Sequence, residues 1–132
     1  MWTIGTWGVD MFHIRETIKG IPYSRNRSRG KPHAAQEWTD EVIRQTANIT
    51  KVKDACLFRI TFKLPPDKFP TDYPYGPDLD NLLKRFLDAL SKTVFSESRG
   101  KDSCIIALEV MKVKVDESAA GADFEIMPIK VD

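Results

Sequence analysis

Apolar and polar residues follow two different periods along the chain, and these periods predict its elements. Residues 56–64 alternate between large apolar and mostly polar side chains, and a period of two is typical of a β-strand. From Leu79 the apolar residues recur at i, i+3, i+4, i+7, i+8 and i+11, which predicts an amphipathic helix over residues 79–93. A comparable spacing predicts an earlier helix over residues 34–53.

Three further strands complete the predicted fold, over residues 10–19, 105–115 and 124–131. Five prolines between residues 65 and 77 exclude a helix or a central strand there, so this segment is predicted to be an extended loop. The order strand, helix, strand, helix, strand, strand predicts an α+β fold, with one mixed β-sheet and two helices packed on it.

The length and composition narrow the class of protein. The chain has 132 residues, which favours one domain over residues 1–132. Its residues are 42% hydrophobic and 30% charged, as in soluble globular proteins. No apolar run reaches the roughly 20 residues that span a bilayer, and the first residues do not resemble a secretory signal. Cys56 and Cys104 lie in apolar runs, so we expect buried thiols rather than a disulfide, and a cytoplasmic protein.

A basic segment is hidden within a net charge of only +1. Between Thr17 and Gln36 there are five basic residues and no acidic one. Four of them fall in a predicted loop that could contact a polyanion: Arg25, Arg27, Arg29 and Lys31. The plainer interpretation is a solvated loop with ordinary surface charge.

Two aspartates stand where the proline-rich loop meets the second predicted helix. Asp78 or Asp80 could act simply as a helix cap, a role worth about 0.5–2 kcal/mol. A helix needs only one cap, however, and carboxylates two residues apart converge only where extended chain becomes helix. Lys84 follows Asp80 by four residues and shares its helix face. These groups suit metal-assisted chemistry on phosphate, although Asp80 and Lys84 could also form an ordinary surface pair.

A third carboxylate, Asp102, precedes the predicted strand 105–115. The helix 79–93 would be about 22 Å long. The loop over residues 94–102 can cover that distance at about 3.3 Å per residue. We therefore expect Asp102 to return to the first two aspartates and to complete a site for Mg²⁺, which prefers carboxylate oxygens.

The region from Pro77 to Lys112 resembles the RusA family of Holliday junction resolvases. The resemblance is carried, in order, by the PDLDNLLK run that begins at Pro77, the LDAL run at Leu87, the DSCII run at Asp102, and Lys112. It implies a RusA-like nuclease domain that uses Mg²⁺, or Mn²⁺ in its place, as cofactor. It also implies a homodimer that resolves four-way DNA junctions by symmetric paired nicks, in DNA recombination and repair.

The resemblance also implies roles for individual residues. Asp78, Asp80 and Asp102 would be the metal-binding catalytic acids, and Lys84 the catalytic basic residue. DNA would be contacted by Asn81 and by the basic segment: Arg25, Arg27, Arg29 and Lys31.

The chain departs from the family pattern in three places, one of which is the loop before Asp78, which is proline-rich and aromatic (Tyr73, Tyr75) where some members carry arginines. Lys101 stands where the family often has a second acid before Asp102, and the loop ahead of it is longer. Two other functions therefore stay open. One is a catalytically silent module that binds branched DNA and keeps the aspartates as helix caps. The other is a nuclease of the same fold that prefers a flap or a fork.

Overall fold

The computed structural model describes residues 2–4, 13–24, 33–69 and 76–131. Five strands and two α-helices occur in these ranges, with short 3-10 turns between some of them. In chain order they are β1 (Trp2–Ile4), β2 (Ile14–Lys19), α1 (Ala34–Thr46), β3 (Cys56–Leu64), α2 (Leu79–Leu90), β4 (Ile105–Lys114) and β5 (Gly121–Val131).

The strands form one mixed sheet around β5. One edge of β5 pairs antiparallel with β3, and β3 pairs in parallel with β4, which ends the sheet on that side. The short strand β1 and the longer β2 both pair antiparallel with β5, at successive stretches of it. The predicted α+β fold, with a mixed sheet and two helices, is confirmed. Strand β1 is an addition to the predicted order.

The core lies between the sheet and the two helices. Alternate residues of β3 point toward the helices and are fully buried, as the period of two predicts. Phe86 of α2 packs on this layer, with its ring centroid 5.8 Å from that of Phe62 and 5.6 Å from that of Phe124. Trp38 of α1 is buried against Phe86 from the other side. These contacts hold α2 over the sheet.

Both helices end earlier than the spacing of apolar residues predicts. Helix α1 ends at Thr46 rather than near residue 53. The backbone N–H of Val52 donates to the carbonyl of Val94 at 2.8 Å, and Lys51 Nζ donates to the carbonyl of Thr93. These contacts join the segment before β3 to the segment after α2. Because they come from distant parts of the chain, a local periodicity could not reveal them.

The sheet face away from the helices carries a cluster of ion pairs around Glu125. This carboxylate is 8% exposed and accepts hydrogen bonds from Arg15 Nη2 at 2.7 Å and from Arg59 Nη1 at 3.0 Å. His13 Nε2 lies 2.8 Å from the same carboxylate, and Arg59 also pairs with Glu109. The pKa of Glu125 lies below its usual range, mainly because of the hydrogen bond from Arg15 and to a smaller extent because of the one with His13.

Both cysteines are free thiols, as expected. Cys56 is buried at the start of β3 and Cys104 is half-buried just before β4. The hydrogen bond with Cys104, together with burial, raises the pKa of the Cys56 thiol. Within the part of the chain that the structure describes, neither helix is long and apolar enough to cross a membrane.

Candidate metal centre

Asp78 and Asp80 lie together at the start of α2. Asp78 has an extended backbone conformation (φ −65°, ψ 132°), whereas Asp80 is already in the first helical turn. Both side chains are exposed and both line one cavity of about 530 Å³. Asp78 and Asp80 therefore stand at the junction of loop and helix and line the same cavity. The rest of the cavity is lined by Leu79, Leu83, Val110 and Lys112.

Asp78 occupies the N-cap position of α2 without acting as a side-chain cap. Its backbone carbonyl accepts the hydrogen bond from the N–H of Leu82 at 3.0 Å, which begins the helix. Its carboxylate makes no hydrogen bond to the helix backbone and instead accepts a long one, 3.4 Å, from Asn81 Nδ2. A capping aspartate stabilises a helix through a hydrogen bond that its carboxylate accepts from the helix backbone, and Asp78 lacks this bond. The carboxylate is therefore positioned by Asn81 and faces the cavity.

Neither carboxylate is neutralised by a neighbouring base. Within the described ranges, no Lys, Arg or His nitrogen lies within 4 Å of Asp78 or Asp80. Lys84 is exposed one turn after Asp80, but the two do not form the surface ion pair considered above. Both carboxylates therefore retain oxygen atoms that could bind a cation.

Lys112 is a residue of this cavity whose role sequence analysis did not identify. It lies on β4 opposite Phe62, on the side of the sheet that faces the helices. Its Nζ donates a hydrogen bond of 2.8 Å to the carbonyl of Pro77, directly before Asp78. The bond ties the loop that enters α2 to the strand beneath it. The available signal was a lysine on a strand face whose preceding residues, Leu108 and Val110, are apolar.

Asp102 lies at the other end of β4. It belongs to a short 3-10 turn before the strand, whose first residue, Ile105, pairs with Cys56 at the start of β3. Val110 and Lys112 line the cavity and come five and seven residues after Ile105, which corresponds to about 16–23 Å along a strand.

The structure does not bring Asp102 beside Asp78 and Asp80 within one chain. The chain after α2 turns toward the segment before β3, through the bond from Val52 to Val94, instead of returning along the helix. Consistently, the described residues contain no group of three or more His, Cys, Asp or Glu side chains that could hold a metal ion.

A basic groove borders the carboxylates on the other side of α2. It has a volume of about 390 Å³ and lies between α1 and α2. Arg85 Nη1 donates to Thr39 Oγ1 at 2.7 Å and to the carbonyl of Ala35 at 3.3 Å, which fixes this guanidinium on α1. Three cations and one acid line the groove together with small polar residues: Ser24, Thr39, Asn81, Lys84, Arg85, Asp88, Ala89 and Lys92.

The basic segment of the sequence analysis lies outside the described residues, so its predicted contacts stay predictions. It comprises Arg25, Arg27, Arg29 and Lys31. The last described residue before it, Ser24, lines the groove between α1 and α2.

Comparison with known proteins finds no family model that matches this chain and no curated protein that matches it. Its function is therefore proposed from the geometry of the site and from the resemblance of its motif.

Proposed function

We propose that the protein is a Mg²⁺-dependent, structure-selective endodeoxyribonuclease that resolves four-way DNA junctions by paired nicks. The observation that carries the proposal is the pair of exposed carboxylates, Asp78 and Asp80. They share one cavity, lack a capping bond and an ion-pair partner among the described residues, and adjoin a groove lined by three cations. The order of these residues in the chain is the one that resembles the RusA family.

The donor set fits a magnesium ion. Mg²⁺ is commonly held by one or two carboxylates, with substrate phosphate and water in its other positions. Asp78 and Asp80 would hold it, and Mn²⁺ could replace it. Asp102, the third acid that the resemblance implies, does not lie beside them within one chain. When bound, such an ion polarises phosphoryl oxygens and lowers the pKa of a water molecule.

The protein's own residues would orient the phosphate and stabilise charge. Asn81 holds Asp78 toward the cavity, and Lys112 fixes the backbone of Pro77 just before it. Lys84 follows Asp80 by one helical turn and lines the basic groove, where its ammonium would offset charge that develops on the phosphoryl oxygens.

DNA backbone would be held along the basic groove. Beyond Lys84, Arg85 lies on the same helix and Lys92 lies just after its end, and both line the groove. We propose that they contact phosphates next to the one that is cut, and that Asn81 and the basic segment (Arg25, Arg27, Arg29 and Lys31) contact DNA as well. Such contacts do not depend on sequence and weaken as salt increases.

Paired nicking requires two sites in one assembly. A four-way junction has approximate two-fold symmetry, so a homodimer with a two-fold axis presents one site to each of two opposed strands. This arrangement would serve DNA recombination and repair. Free thiols at Cys56 and Cys104 agree with a cytoplasmic location for such an enzyme.

A denaturing gel of labelled synthetic DNA tests the proposal. The protein is incubated with a four-way junction, a flap and a linear duplex, each with Mg²⁺ and with EDTA. Asp80→Asn is compared with Asp40→Asn, which changes an exposed aspartate of α1 that lines neither cavity. We expect Mg²⁺-dependent cutting of the junction by the wild type and by Asp40→Asn, and none by Asp80→Asn.

Other results would point elsewhere. Junction binding without cutting, in Mg²⁺ and in Mn²⁺, would contradict the nuclease and favour a silent binding module. Faster cutting of the flap than of the junction would favour a flap nuclease of the same fold.

A further inference from the structure

The two cysteines of the chain lie side by side, although they are far apart in sequence. Cys56 is the first residue of β3, and Cys104 is the last residue of the short turn that precedes β4. Cys56 pairs with Ile105, the residue directly after Cys104. The two thiols form a hydrogen bond with each other. The chain has no third cysteine, so each thiol has the other as its neighbour.

The separation of the two backbones suits a disulfide. Neighbouring strands lie about 4.8 Å apart, and each residue advances a strand by about 3.3 Å. Because Ile105 is the residue opposite Cys56, the preceding Cys104 is displaced by one residue, which puts the two Cα atoms about 6 Å apart. Cα atoms that a disulfide joins are usually about 4.4–6.8 Å apart. The two sulfur atoms can therefore form a bond without a large movement of either strand.

The two thiols differ in their access to solvent. Cys56 is fully buried, whereas Cys104 is only half-buried. A small oxidant can therefore reach Cys104 but not Cys56. Redox-sensitive cysteines are typically accessible thiols that lie beside a second cysteine with which they form a disulfide. The difference in burial makes Cys104 the thiol that reacts first and Cys56 the thiol that resolves the product.

We propose that Cys56 and Cys104 are a reversible redox pair, with a hydroperoxide as the oxidant. The Cys104 thiol takes one oxygen atom from the hydroperoxide and becomes a sulfenic acid, and the hydroperoxide becomes an alcohol, or water where it is hydrogen peroxide. The Cys56 sulfur then bonds to the Cys104 sulfur, and the hydroxyl group leaves with the Cys56 proton as water. The two thiols lose two electrons in total, which a small thiol reductant returns by thiol–disulfide exchange.

The disulfide acts on the turn that carries Asp102. Cys104 ends this turn, and the backbone N–H of Ile105 donates to the carbonyl of Asp102. A sulfur–sulfur bond of about 2.0 Å is shorter than a hydrogen bond between two thiols, so its formation draws the turn toward β3. The backbone of Asp102 is displaced with it. This consequence rests on the proposed function, in which Asp102 takes part in cutting, and it makes oxidation a brake on that activity.

Peptide mapping of the wild type tests the disulfide without any need for activity. The protein is treated with hydrogen peroxide, its remaining thiols are blocked in urea, and trypsin then releases the peptides 54–59 and 102–112, which contain Cys56 and Cys104. We expect mass spectrometry to find these peptides joined after oxidation and separate after dithiothreitol. Peptides that stay separate, or a covalent dimer of two chains in place of the internal bond, would overturn the proposal.

Single variants test the order of the two steps. In Cys56→Ala, the sulfenic acid at Cys104 has no second thiol to react with, so dimedone, which labels sulfenic acids, should mark the protein. In Cys104→Ala, the remaining Cys56 is buried and should stay an unlabelled thiol. Labelling of Cys104→Ala, or no labelling of Cys56→Ala, would overturn the assignment of Cys104 as the thiol that reacts first.

A cutting assay separates this inference from the proposed function. Cutting of a four-way junction is measured for the wild type and for Cys104→Ala, each reduced, oxidised, and oxidised and then treated with dithiothreitol. We expect oxidation to slow the wild type by up to about 100-fold, because small displacements of catalytic groups have effects of this size. Dithiothreitol should restore the rate, and Cys104→Ala should cut at the same rate in all three states.

Each other outcome of the cutting assay has a definite meaning. An equal loss of cutting in the wild type and in Cys104→Ala, or no loss in the oxidised wild type, would overturn the effect of the disulfide on cutting. Joined peptides in a protein that cuts no DNA in any state would support the redox pair and contradict the nuclease, so the two failures can be distinguished.

Discussion

Lys112 Nζ donates a hydrogen bond of 2.8 Å to the carbonyl oxygen of Pro77, which joins strand β4 to the residue directly before Asp78. The bond connects two segments that are 35 residues apart in sequence. It fixes the point at which the proline-rich loop becomes helix α2, and therefore the direction from which both carboxylates enter the cavity.

The first prediction concerns this bond. Lys112→Met keeps the aliphatic stem but removes the donor, so the backbone at Pro77 is less well fixed and Asp78 less well oriented. Loss of such a supporting contact typically costs about 10- to 100-fold in metal affinity or activity. A titration of junction cutting against Mg²⁺ should show a higher half-saturating concentration. Lys130→Met, an exposed lysine of β5, is the control, and identical titrations for the two variants would refute the supporting role.

The second prediction separates a metal ligand from a helix cap. Because the Asp78 carboxylate makes no capping hydrogen bond, Asp78→Ala should change the free energy of unfolding by less than about 0.5 kcal/mol. It should nevertheless abolish cutting. Urea denaturation gives the stability. A loss of about 1 kcal/mol or more would mean that the aspartate stabilises α2 as a cap, as in the silent binding module.

The third prediction concerns the basic groove. Lys92 lies on its wall, just after the end of α2, and we expect it to contact a DNA phosphate. Lys92→Gln should weaken junction binding and reduce the slope of log K against log salt by about 1. Binding is measured by fluorescence anisotropy in EDTA, so that no cutting occurs. Lys130→Gln should leave the slope unchanged, and an unchanged slope for Lys92→Gln would exclude this phosphate contact.

The fourth prediction is a dependence of stability on pH. The pKa of Glu125 is lowered mainly by its hydrogen bond with Arg15, and Arg59 and His13 also face its carboxylate. Because this pKa is lower in the folded protein than in the unfolded chain, where it is about 4.3, the ionised carboxylate stabilises the fold above that pH. The stabilisation is lost as the pH falls through the pKa of Glu125 in the folded protein.

Glu125→Gln removes this ionisation and should therefore destabilise the protein at pH 7, by about 1–3 kcal/mol. The difference from the wild type should shrink as the pH falls below about 5. Thermal denaturation from pH 7 to pH 3 provides the test. A difference that is constant over this range would show that the charge of Glu125 does not stabilise the sheet.

Much of the fold could be predicted from sequence because each element buries one face. The period of two over Cys56–Leu64 and the leucine spacing of α2 both reflect burial against a single core, so the pattern and the structure agree. The end of α1 was not predicted: the chain leaves the helix after Thr46, and Val52 then contacts Val94, which is far away in sequence. Strand β1 has only three residues and forms by pairing with the far end of β5, which no local pattern signals.

The candidate site was predictable in part, for a similar reason. Asp78 and Asp80 are two residues apart, so the junction of loop and helix alone brings them together. For Asp102, the length of the loop indicates how far the chain can reach but not in which direction it turns. Lys112 and Arg85 act through contacts with Pro77 and Thr39, which lie far from them in sequence. Such contacts become visible only when the packing of α2 is known.

The central claim is that the protein cuts a four-way junction symmetrically with Mg²⁺, and a plasmid that extrudes a cruciform tests it most directly. Two nicks made within one bound complex convert the supercoiled circle into a linear molecule, whereas separate nicks leave an open circle. We predict linear product with Mg²⁺ and none with EDTA, with the two cuts at symmetric positions across the junction. Supercoiled plasmid that stays intact in both Mg²⁺ and Mn²⁺ would contradict the claim.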